Sequence, residues 1–152
     1  MSVKSIFTLF SGADDSEQKP NQLAVAVLLF HLVRCDGNAK MLELMHMSEI
    51  LRKEFELTQQ ELEVVFRLAD EQESKGIDVN EFTRELCNKL SNHSRIKLLE
   101  YLWILAFSDD QIKEQEASLI KNVAQQLGLS GREQATAQEN AEKHLGLDLF
   151  LG

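Results

Sequence analysis

The chain reads as an all-α protein built around an internally duplicated helix–turn–helix, and three observations predict this. One proline and seven glycines in 152 residues leave few interruptions, which favours long helices over short strands and turns. Apolar residues recur at helical spacing, and no β-branched run alternates with period two. Displacing the sequence by 73 positions lays Leu29 on Leu102, Leu32 on Leu105, Asp36 on Asp109, Lys40 on Lys113 and Glu43 on Glu116. After a one-residue slip, Leu57-Thr58-x-x-Glu61 falls on Leu129-Ser130-x-x-Glu133.

The elements follow from local chemistry. Ser5 to Phe10 is a short amphipathic piece and Ser11 to Lys19 a polar, acidic linker, so residues 1–19 divide from a helical domain over 20–152. Pro20 is placed for a first helical turn, and Asn21 to Arg34 follows, apolar around most of its circumference, as an element buried from several sides is. Cys35-Asp36-Gly37-Asn38 closes it with turn chemistry. The next helix, Ala39 to Phe55, carries an inward stripe of Leu44, Met47, Ile50, Leu51 and Phe55. Thr58-x-x-Glu61 is a capping box opening a helix to about Glu73, and Asp78 caps another from Val79 to about Leu90. Asn92 or Ser94 begins a central apolar helix ending at Phe107. The second acidic turn, Ser108-Asp109-Asp110, leads into a helix over Ile112–Leu127, and Ser130-x-x-Glu133 opens the last one. It is expected to run to about His144, with Gly146 stopping it before an apolar tail, Leu147–Leu151.

Composition excludes more than it selects. A formal charge of −9 argues against a nucleic-acid footprint, since neutralising phosphates takes clustered Lys and Arg. It suits cationic partners or metal ions. Cys35 and Cys87 are isolated, the N-terminus lacks the pattern of a secretory signal, and the apolar stretch Leu23–Val33 is too short to span a bilayer. A cytoplasmic setting is expected. There is no G-x-S-x-G, no phosphate loop and no H-E-x-x-H, so no enzyme is indicated.

The recurring polar signature is D-x6-E, Asp36 with Glu43 and Asp109 with Glu116. Two readings fit it. Each aspartate can cap the amides of the following helix, with ion pairs to Lys40, Lys113 or Arg34. Alternatively the four carboxylates hold a divalent cation, because oxygen donors clustered in this number need one. Calcium, magnesium, manganese and zinc are the candidates. Glu43-Leu-Met-His46 is half of a di-iron motif, but the second repeat offers Leu119 at the corresponding place. Asp70–Phe82 imitates a calcium loop but sets Lys75 where that loop requires glycine. Met41, Leu42 and Met45 form an apolar face of the first half only, since they align with Glu114, Gln115 and Ser118. The Ile6–Phe10 segment, a protein partner or a second copy is expected to cover it.

These residues resemble the bacterial tellurite-resistance TerB-like domain, in its stand-alone branch. The matching features are an apolar helix, Asp-Gly, a glutamate several residues on, and an apolar helix ending in Leu-Gly-Leu. They stand here as Val33-Arg-Cys-Asp36-Gly37 with Glu43, and as Ala106-Phe-Ser-Asp109-Asp110 with Glu116 and Leu127-Gly-Leu129. Asp110 replaces the usual glycine of the second turn. The resemblance covers about Asn21 to Gln138 and implies a compact bundle of seven to eight helices. It also implies acidic positions suited to a divalent metal, a link to tellurite and stress resistance, and an adaptor role without catalysis. The alternatives are a purely structural helical domain and a metal-assisted hydrolase using the same carboxylates.

Overall fold

The computed structural model describes residues 22–35, 41–108 and 112–151, with the backbone alone for 145–151. Asp36 and Asp109, the N-terminal segment and the linker lie outside these residues. Seven helices are described and no strand: α1 (Gln22–Arg34), α2 (Met41–Phe55), α3 (Gln59–Ser74), α4 (Val79–Lys89), α5 (Asn92–Phe107), α6 (Glu114–Gln126) and α7 (Gly131–Leu151).

The two most apolar helices form the centre. From Leu23 to Val33 every residue of α1 except His31 is buried, and α5 is buried continuously from Leu98 to Ala106. A helix apolar on every side is stable in water only when neighbours enclose it. α1 packs against α5 and carries α2 and α3, while α5 carries α6 and α7. The duplication is therefore two three-helix units joined through their first helices, with α4 inserted between them and packed on α6. Phe30 of α1 meets Phe66 of α3 edge-to-face at 4.8 Å. Phe55 of α2 meets Tyr101 of α5 at 6.1 Å, so aromatic contacts reinforce packing within and between the units.

Helix ends obey the caps written in the sequence. Thr58 Oγ1 accepts from the Glu61 amide, and Glu61 returns its carboxylate to the Thr58 amide. Ser130 and Glu133 repeat the arrangement at α7. Asp78 accepts from the Asn80 and Glu81 amides at α4. Of the two starts expected for α5, Asn92 is the one observed, because Ser91 accepts from the Ser94 amide. Other boundaries differ from expectation. α6 begins at Glu114 rather than Ile112 because the Glu116 carboxylate accepts the Lys113 amide. α7 does not stop at Gly146 and continues to Leu151. A single glycine lowers helix propensity by about 1 kcal/mol, too little to end a helix that no proline or cap terminates.

Candidate functional site

Glu43 and Glu116 occupy the same place in their units: each is the third residue of its helix, α2 or α6. A glutamate there can reach back to the amide at the helix start, and Glu116 does so, accepting from the Lys113 N–H at 3.2 Å. Lys113 offers no acceptor in return, so this is half of a capping box.

Capping alone does not account for where these two side chains lie. Three other helices have glutamate as third residue, namely Glu61 of α3, Glu81 of α4 and Glu133 of α7. Glu61 and Glu81 are exposed and Glu133 is partly so. The Thr58 amide holds the Glu61 carboxyl below its ordinary range in open solvent, and the Ser130 amide, followed by Asn92, does the same for Glu133. A cap thus works well at the surface. Glu43 and Glu116 are instead only 5% and 4% exposed. Withdrawing a carboxylate from water costs several kcal/mol unless a cation or hydrogen-bond donors replace the solvent.

The structure places two of the four acidic positions, since Asp36 and Asp109 lie outside the described residues. α2 rests on α1 and α5, α6 rests on α5 and α4, and no extensive contact joins α2 to α6. Among the described residues no three His, Cys, Asp or Glu side chains gather as a metal group. The donor chemistry is nonetheless that of a hard cation. Carboxylate oxygens suit calcium, magnesium or manganese, whereas a zinc site would draw on nitrogen or sulfur.

The basic residue at the end of α1 serves another purpose. Arg34 was a candidate ion-pair partner for the acidic turn, but its guanidinium donates to Asp70 Oδ1 and Glu73 Oε2, each at 2.5 Å, and to Ser74 Oγ at 3.2 Å. Its Cζ lies over the Phe30 ring, 4.6 Å from the ring centre. His31 Nδ1 stands 3.5 Å from Glu73 Oε1. Arg34 holds the Asp70 carboxyl below its ordinary range, assisted by Ser74. This cluster ties α1 to the end of α3. Arg34 is 36 to 40 residues from its three hydrogen-bond partners, and no local spacing announces them.

The same cluster disposes of the calcium-loop imitation. α3 stays helical through Ser74, Asp70 is bound to Arg34, Gly76 turns the chain at φ +79°, and Asp78 caps α4. His46 is half-buried on α2. The half-buried Cys87 thiol donates to the Leu127 carbonyl at 3.5 Å, a contact that helps hold α4 to the end of α6. A cleft of about 270 Å³ opens between α4 and α6, bordered by His31, Asn80, Asn122 and Gln126. Neither Glu43 nor Glu116 lines it.

The apolar face of α2 is where the alignment of the halves puts it. Met41, Leu42 and Met45 are 73%, 51% and 59% exposed, and their counterparts Glu114, Gln115 and Ser118 are exposed as well. No helix among the described residues is long and apolar enough to cross a membrane.

The family model described as tellurite resistance protein TerB matches residues 22–139. Comparison with curated proteins and with solved structures returned no match.

Proposed function

This chain belongs to the TerB family, and we propose that it works as a non-enzymatic, cytoplasmic cation-binding and interaction module. Asp36, Glu43, Asp109 and Glu116 hold a divalent cation of the hard, oxygen-seeking class. The observation that supports this reading is the burial of Glu43 and Glu116 at equivalent helix starts, beside surface glutamates that cap perfectly well in water. Met41, Leu42 and Met45 supply contact surface next to the first acidic turn. By family, the setting is tellurite or general stress resistance.

A second reading rests on the Lys113–Glu116 hydrogen bond: the acidic turns are caps, and the domain is a structural adaptor without metal. Thermal unfolding separates the two. The chelated protein is melted alone and with calcium, magnesium, manganese or zinc added singly, beside Asp36→Asn/Asp109→Asn. A selective rise in midpoint that the double variant lacks is the expected result, because a ligand that binds only the folded form stabilises it. An unchanged midpoint at millimolar metal would sink the cation reading and leave the structural one.

A further inference from the structure

The cleft between α4 and α6 lies apart from the acidic helix starts and has a chemistry of its own. Along α6, Leu119, Asn122, Val123 and Gln126 fall at i, i+3, i+4 and i+7, so a single face of that helix fronts the cleft. Val79, Asn80 and Thr83 come from α4. Val123 and Thr83 are buried, and Leu119 and Val79 are half-buried. The Thr83 hydroxyl is spent on the Val79 carbonyl at 2.7 Å. The side-chain amides of Asn80, Asn122 and Gln126 border the same space and have no hydrogen-bond partner among the described residues. Amides at other helix contacts are taken up: Asn92 donates to Glu133, Asn140 to Glu100 and Gln134 to the Leu129 carbonyl.

We propose that this cleft binds a small, uncharged, planar heterocycle of the purine class, an adenine-type base whose edge is read by the amides of Asn80, Asn122 and Gln126. Size is the first argument. A cavity of about 150 Å³ admits one benzene ring. At about 270 Å³ the cleft suits a fused two-ring compound and falls just short of drug-sized sites, which begin near about 300 Å³. Charge is the second. No Lys or Arg borders the cleft among the described residues, and the Asp78 carboxylate is occupied by the Asn80 and Glu81 amides. A phosphate or carboxylate would meet no cation there, and the chain's charge of −9 repels it. An ammonium group would find only a carboxylate already used as a cap. The hydrogen-bond pattern is the third. A carboxamide sets an N–H beside a C=O, and Asn or Gln pairs in this way with N6 and N7 of adenine. Such pairing needs amides not already bonded to protein, and that is what separates these three from Asn92 and Asn140. Leu119, Val79 and Val123 supply the apolar surface for the ring faces, the usual division of labour in a small-molecule site.

The inference is independent of the cation reading, since neither Glu43 nor Glu116 lines the cleft. Its test uses the full chain, labelled with nitrogen-15 and kept in chelator, with adenine as the probe and the side-chain amide signals of Asn and Gln as the readout. We expect saturable shifts of the Asn80, Asn122 and Gln126 amides, with a dissociation constant of about 1 mM or below for a ligand of this size. The amides of Asn92 and Asn140 are expected to stay in place. Asn122→Leu/Gln126→Leu removes two of the readers and is expected to weaken binding about tenfold or more. An absence of saturable shifts up to the solubility of adenine overturns the proposal. Equal binding of indole, a fused bicycle without the paired donor and acceptor, overturns it in favour of an apolar crevice. Tighter binding of adenosine monophosphate than of adenine overturns the uncharged ligand. The wild-type amide shifts decide the question even where the double variant folds poorly. The cation reading stands or falls separately, on thermal shifts with added metal.

Discussion

A glutamine at position 43 or 116 keeps the acceptor oxygen that a helix-start amide needs and loses the charge that a cation needs. This makes Glu43→Gln/Glu116→Gln a sharper probe than truncation, which would remove cap and ligand together. In chelator, the variant is expected to melt at or slightly above the wild-type midpoint, because two carboxylates at 5% and 4% exposure no longer have to be kept from water. At a cation concentration of 100 times the dissociation constant, the wild type gains about 2.7 kcal/mol. For a chain of this length that corresponds to a rise of about 5–10 °C, and the variant is expected to show none of it. Equal responses from the two proteins would remove Glu43 and Glu116 from the ligand set. The recurrence of D-x6-E singled these residues out, but their burial was not legible there. The same carboxylate at the same helix position is exposed in Glu61. What differs is the neighbouring helices, which no spacing within one helix records. Arg34 illustrates the same limit, since its partners Asp70 and Glu73 come from a helix two elements away.

At the scale of the element, the two units close their second helices with the same turn built from different residues. α6 ends in a Schellman arrangement: the Gly128 amide donates to the Gln125 carbonyl and the Leu129 amide to the Ala124 carbonyl, with Gly128 at φ +71°. α2 ends with the Leu57 amide donating to the Arg52 carbonyl, and Glu56 takes the left-handed place at φ +51°. A residue with a Cβ is disfavoured there by roughly 1–2 kcal/mol, whereas glycine is not. Nothing lies within 4 Å of a Cβ built on Gly128, so its conformation alone sets the cost of replacement. Glu56→Gly is therefore expected to stabilise the protein by about 1 kcal/mol and Gly128→Ala to destabilise it by a similar amount, both read from urea midpoints. Effects of the same sign would show that the two turns are not equivalent. Leu127-Gly-Leu129 is recognisable as a helix stop. Its counterpart at Glu56 emerges only once the halves are superimposed with the one-residue slip, because a glutamate does not announce a left-handed turn. Gly146 misleads in the opposite sense: a residue that often ends helices lies inside α7, where continuing the backbone costs less than breaking it.

For the whole molecule, the legible part was the pattern that repeats. Two apolar helices with no polar face had to find each other, and α1 against α5 is how the chain buries them. The pairing of units and the insertion of α4 against α6 depend on contacts between distant segments, which helical periodicity does not encode. Net charge introduces a further consideration at this scale. A chain at −9 repels itself when compact, so any added salt relieves part of that repulsion and raises stability without a specific site. Divalent ions do this more strongly than sodium, and a thermal shift on its own therefore does not identify ligands. Screening and binding part company in their dependence on background salt. At about 150 mM ionic strength the screening length is already near 8 Å, and further screening by a millimolar divalent ion adds little. A buried pair of carboxylates is much less accessible to that screening. The midpoint rise caused by 1 mM of the preferred cation is thus expected to survive in 150 mM sodium chloride, differ between cations of equal charge, and vanish in Glu43→Gln/Glu116→Gln. A rise that disappears in sodium chloride and is the same for every divalent ion would mean that the charge of the whole surface was being neutralised. The acidic turns would then be left with their role as caps.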